Sequence, residues 1–217
     1  MSISEQRSAP TGGKAAILWL AIFFAVLLWS AIRPHDYFTW FMEVLPALIA
    51  FVVLAATYRR FRFSALAYWL LLVHAVILMV GGHYTYAEVP LFDWIRDLFH
   101  QGRNNYDKVG HFAQGFVPAI IARELLLRKS PLHPGAWLSC ITVSICLAMS
   151  ALYEIFEWAV AEATGEAAEA FLGTQGYPWD TQSDMAFALL GAVLAVVLLG
   201  RYHDVQISRI DQGRGVR

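Results

Sequence analysis

Residues 15–32 read AAILWLAIFFAVLLWSAI, 18 residues without a charge. A helix needs about 20 apolar residues to cross the hydrocarbon core of a bilayer. In lipid the backbone N–H and C=O groups must be satisfied within the segment, so a run of this kind is obliged to be helical. No small-residue A-x-A cleavage site follows it. It is therefore read as a retained first helix and not as a removed signal peptide.

Five further stretches repeat the pattern, over roughly 39–58, 63–82, 108–127, 136–158 and 182–200. The second span of the chain carries Glu43 near its start, and the third has one polar interruption, His74. The fourth reaches spanning length only by taking His111 at one end and Arg123 and Glu124 at the other, which are read as snorkelling to the interface. The fifth follows the breakers Pro131 and Pro134. The expectation is an all-α, polytopic helix bundle with six transmembrane helices. A tail over 1–14, one membrane domain over 15–200 and a second tail over 201–217 complete the chain. Charged residues make up 15% of it, against about a quarter in an ordinary soluble domain. A net charge of −1 provides no basic field for nucleic acid, so the expected partner is the lipid bilayer. Cys140 and Cys146 stand six residues apart in one apolar run, about 9 Å of helical rise, too far for a disulfide.

Lysine and arginine set the orientation. With the N-terminus inside, the inner segments hold 12 basic residues and the outer segments hold 4, namely Arg33, Arg96, Arg103 and Lys108. Both termini are then cytoplasmic. Under this topology the polar residues of the spans gather at the outer leaflet. Asp107 and His111 open the fourth helix, Glu154 and Glu157 close the fifth, and Asp180 and Asp184 open the sixth. The loop over 159–179 has no lysine or arginine and adds Glu162, Glu166 and Glu169.

Asp107 and His111, like Asp180 and Asp184, are spaced i, i+4 and share a helix face; Glu154 and Glu157 are i, i+3. Carboxylates and imidazole are ligands for zinc, manganese or magnesium, and helix bundles hold metals with acid and Glu/His pairs at such spacings. Asp107, His111, Glu154 and Asp184 are the expected metal ligands, with Glu157 or Asp180 as general base. Each pair also has a plainer reading. Asp180 or Thr181 serves as an N-cap with Asp184 in the first turn; Asp107 caps its helix while His111 bonds within the bundle. Glu154 and Glu157 oppose the dipole at a helix C-terminus, which leaves interfacial solvation as their plain explanation. Lys108 adjoins Asp107 and on a helix points about 100° away from it. The charge balance is therefore expected from an ion, protons or a cationic ligand. Gly173 and Gly176 let the loop before the sixth helix turn back, delivering the two aspartates to the other helix ends.

YDKVGHFAQGF (106–116), ALYEIFEW (151–158) and GTQGYPWDTQSDM (173–185) together resemble the YjdF-like family of bacterial inner-membrane proteins, over roughly residues 15–200. The element at Asp107, Lys108 and His111 is also similar to a helix opening in VanZ-like membrane proteins. The first resemblance implies a small integral protein of the bacterial inner membrane and brings no reaction with it. From the residues, the leading expectation is a metal-dependent hydrolase acting at the external face on a lipid-linked or phosphate-containing substrate. A cation or proton transporter and a non-catalytic structural membrane protein are the alternatives.

Overall fold

A computed structural model describes residues 13–165 and 169–214. Among these the chain is helical, with no strand. The helices are α1 (Gly13–Ser30), α2 (Tyr37–Thr57), α3 (Ala65–Tyr84), α4 (Pro90–Leu98), α5 (Tyr106–Lys129), α6 (Ala136–Thr164), α7 (Glu169–Leu172) and α8 (Asp180–Arg214), with a 3₁₀ turn at Tyr86–Glu88. The N-terminal tail before Gly13 and Glu166 of the acidic loop lie outside the described residues.

Five helices, α1, α2, α3, α6 and α8, are long and apolar enough to cross a membrane. The 24-residue α5 is as long but carries charge at both ends. Its position accounts for that composition. It packs against α3, α6 and α8 at once, and its charged ends meet other helices. Asp107, Lys108, His111, Arg123 and Glu124 are all buried.

Two boundaries differ from the sequence reading. α8 does not end near residue 200 but continues to Arg214, 35 residues in all. After Gly200 the next glycine is Gly213 and no proline follows, so nothing stops the helix. Helix α4 was not anticipated: its nine residues are too few to span. Leu91, Trp94 and Leu98 line one exposed face, and the other face is tied down through Asp93, which accepts from Asn104 and Arg96.

Small residues set the closest approach in the bundle. A Cβ on Gly115 of α5 would lie 2.8 Å from Ala188 Cα of α8 and nearer still to the Ala188 carbonyl. A Cβ on Gly191 would lie 2.9 Å from the Phe116 amide nitrogen and nearer to the Phe112 carbonyl. Close backbone contact of this kind is how helices associate in lipid, where no hydrophobic drive separates a neighbouring helix from an acyl chain. The Tyr86 ring is wedged the same way between Gly81 of α3 and Gly110 of α5. The remaining core is apolar: Trp19 and Phe23 of α1 stack on Phe51 of α2, and the Trp19 indole donates to the Tyr68 carbonyl at 2.8 Å. Asp36 caps α2 by accepting from the Thr39 amide at 2.6 Å, which holds its carboxyl below the usual carboxylate range.

Candidate metal centre

The α5–α8 contact brings the first turns of both helices side by side. Asp107, Lys108 and His111 come from α5, and Asp180 and Asp184 from α8; α6 adds Glu154 and Glu157. All seven side chains are between 3% and 8% exposed. The loop before α8 turns as the glycines imply, with positive φ at Gly173 (61°), Gln175 (48°) and Gly176 (77°). It is then locked to the α4–α5 connection by a reciprocal pair. The Asn104 amide donates to Gln175 Oε1 at 3.0 Å, and Gln175 Nε2 donates to the Asn104 carbonyl at 2.8 Å.

His111 is the hub. Its Nε2 lies 3.2 Å from Asp107 Oδ1 and 3.8 Å from Asp184 Oδ1. Its Nδ1 lies 3.0 Å from Gln114 Oε1 and 3.6 Å from Glu154 Oε1. Asp107, His111 and Asp184 each offer a ligand atom, all within 4.8 Å of one another. A divalent ion about 2.0–2.6 Å from each donor fits inside such a triangle. Glu154 stands one step out, close to His111 alone, and its Oε1 is buried with no hydrogen-bond partner. Glu157 is buried one turn further along and is not part of the close triad.

The expectation that Lys108 points away from the acids is overturned. Its Nζ donates to Asp184 Oδ1 at 2.6 Å, Asp180 Oδ1 at 2.8 Å and Asp107 Oδ2 at 3.3 Å. Arg103 adds a second cation, with Nη1 2.5 Å from Asp180 Oδ1 and Nη2 3.5 Å from Asp107 Oδ2. The angular rule concerns neighbours on one helix; the partners of Lys108 lie on the facing helix, within reach of its long stem. Two fixed cations and His111 still face five carboxylates, and a sixth, Glu43 of α2, lies buried nearby. Acids remain in excess.

A second buried network, at the opposite end of α5, escaped the sequence reading. Arg123 and Glu124 do not snorkel. Both Glu124 carboxylate oxygens accept from the Ser64 amide, at 2.9 and 3.0 Å. The same carboxylate meets His203 Nε2 at 3.0 Å and Arg128 Nη1 at 2.6 Å. Arg123 Nη2 pairs with Asp204 Oδ1 at 2.8 Å. The sequence carried one usable signal: Arg123 and Glu124 recur against His203 and Asp204 at the matching end of α8.

Residues 15–205 match the family described as a predicted membrane protein (DUF2238). The chain belongs to this family. A DUF2238 relative from Escherichia coli (strain K12), described as inner membrane protein YjdF, is 47% identical over 184 residues, covering 85% of this chain and 88% of the relative. The YjdF-like resemblance of the three motifs is thereby established, and this DUF2238 chain is a membrane protein. No solved structure matches it.

Proposed function

We propose that this protein crosses the bacterial inner membrane six times, with α5 as the sixth span and both termini cytoplasmic. The buried cluster then faces the external side. There it holds a divalent cation on Asp107, His111 and Asp184 and supports metal-dependent hydrolysis of a phosphate-containing substrate. The observation that carries this reading is the convergence of three buried donors from two helices inside an excess of carboxylate. Uncompensated buried carboxylates are costly, and a cation is the compact remedy. A bound ion would supply Lewis acidity and a more acidic water. Around it, Glu154 and Glu157 are the groups available to take a proton. Asp180, held by Arg103 and Lys108, fixes those cations and is less suited to be a base.

The transporter reading draws less support. From Gly115 to Ala122 α5 has no ionisable or hydrogen-bonding side chain, and α8 has none from Met185 to Gly200. The two polar networks are thus separated by apolar helix on both sides.

The test is a manganese titration of the purified protein, followed by electron paramagnetic resonance. One tightly held ion is expected, with the affinity lost in Asp184→Asn. Chelation should lower the melting temperature, since a ligand that binds only the folded state contributes about 2.7 kcal/mol at a hundred times its Kd. Melting that ignores both manganese and chelator would sink the cation. Reporter fusions at Arg60 and the C-terminus should read cytoplasmic, and one after Gly102 external; the reverse pattern would sink the orientation.

A further inference from the structure

On the opposite side of Lys108 from His111, α5 and α8 part to leave a groove of about 530 Å³. That volume lies in the range of small-molecule sites. The groove is amphipathic along its length. Arg103, Lys108 and Tyr177 stand at the end nearest the loops; Val109, Phe112 and Phe187 line the part that runs down between the helices. The floor is closed where Gly115 meets Ala188. Arg103 stacks over the Tyr177 ring, 5.5 Å from its centroid, and Lys108 lies 5.9 Å from the same centroid. The Arg103 Nε is buried and has no hydrogen-bond partner. Ser183, in the first turn of the 35-residue α8, also lines the groove, so a helix N-terminus contributes its positive end.

We infer that this groove binds a membrane lipid bearing a phosphate monoester. The phosphate sits against Arg103 and Lys108, and the first acyl segment lies along Val109, Phe112 and Phe187. A soluble phosphate would use only the upper half of the lining. The apolar lower half asks for an alkyl chain, and Phe187, 37% exposed, leaves the lower wall open at its side. The inference names the substrate class of the proposed centre and rests on the cation reading. The five carboxylates behind Lys108 repel a phosphate until a cation offsets them. A cation on Asp107 and Asp184 would also release the Lys108 ammonium from two of its three acids, freeing it for the groove it already lines.

The experiment is equilibrium binding of dioctanoyl phosphatidic acid to the full-length protein in a neutral detergent with manganese present. Dioctanoylglycerol, glycerol phosphate and inorganic phosphate are the comparison ligands. The phosphatidic acid is expected to bind about ten-fold or more tightly than any of the three, and Arg103→Gln should lower its affinity by about ten-fold. Val109→Trp, which fills the groove without touching a charge, should weaken it as well and guards against a misfolded Arg103 variant. Dioctanoylglycerol or glycerol phosphate binding equally well would overturn the inference, as would wild-type affinity in both variants. The manganese titration without lipid reports on the cation alone. Manganese uptake without groove-dependent lipid binding defeats only the groove. Arg103-dependent lipid binding with no manganese uptake defeats only the cation.

Discussion

Gly115→Ala adds one methyl group at the tightest point of the bundle, and its effect can be worked out from the contact. The new Cβ would lie 2.8 Å from Ala188 Cα, with the Ala188 carbonyl nearer still. Carbon atoms rest about 3.5–4.0 Å apart, so α5 and α8 must separate by about 1 Å at this level. The obstacle is backbone, which cannot rotate aside. Overpacking of a core usually costs about 1–3 kcal/mol, and the upper end applies here. Separation also lengthens the Lys108–Asp184 and His111–Asp184 distances, so cation affinity should fall together with stability. Gly102→Ala is the control, because nothing lies within 4 Å of its Cβ position. Cys146 is fully buried, so a thiol-reactive fluorophore in a thermal ramp reports unfolding directly, once the exposed Cys140 is replaced by serine. If Gly115→Ala melts with Gly102→Ala, the helices are not in backbone contact and the placement of Asp184 beside His111 loses its support.

Glu124→Gln should destabilise by about 3–5 kcal/mol, because it leaves His203 and Arg128 facing a neutral amide in a buried network; the same melting assay checks it. Lys108→Met removes the cation shared by Asp107, Asp180 and Asp184, so the variant should melt well below wild type in chelator and be raised more than wild type by manganese. Asp36→Ala should cost about 1 kcal/mol as a lost N-cap, seen as a lower midpoint in chemical unfolding at neutral pH. The folded carboxyl of Asp36 is depressed, so its contribution is full above the unfolded value near 3.9 and is lost as pH falls through the lower folded value. The gap between Asp36→Ala and wild type should therefore close on acidification.

The apolar stretches were legible because lipid leaves a chain so few options: each run without charge had to be a helix. The partners of charged residues were less legible, since they depend on which helices touch. Asp107, His111 and Asp184 could be named from spacing, as i, i+4 pairs stay together on any helix. The role of Lys108 could not, because it arises only when Gly115 admits Ala188 and draws α8 against α5. Glu124 was misjudged for the same reason: its partners Ser64 and His203 lie 60 and 79 residues away. Helix α4 left a readable trace in Pro90 and the spacing of Leu91, Trp94 and Leu98, but a search for spanning lengths passes over nine residues.

The contact between α5 and α8 has a mechanical consequence. It is pinned at one end by Lys108 on Asp180 and Asp184, at the other by Arg123 on Asp204 and Glu124 on His203, and in the middle by interlocked backbone. Two rods fastened at three stations cannot slide, twist or splay independently. The pair must move as a single stiff spar, with α8 about 52 Å long at 1.5 Å per residue. Any working motion of this protein then falls to the joints around the spar, where α2, α3 and α6 bear on it. A tilt imposed on the free end of α8 beyond His203 would be delivered, undamped, to the carboxylates at the far end.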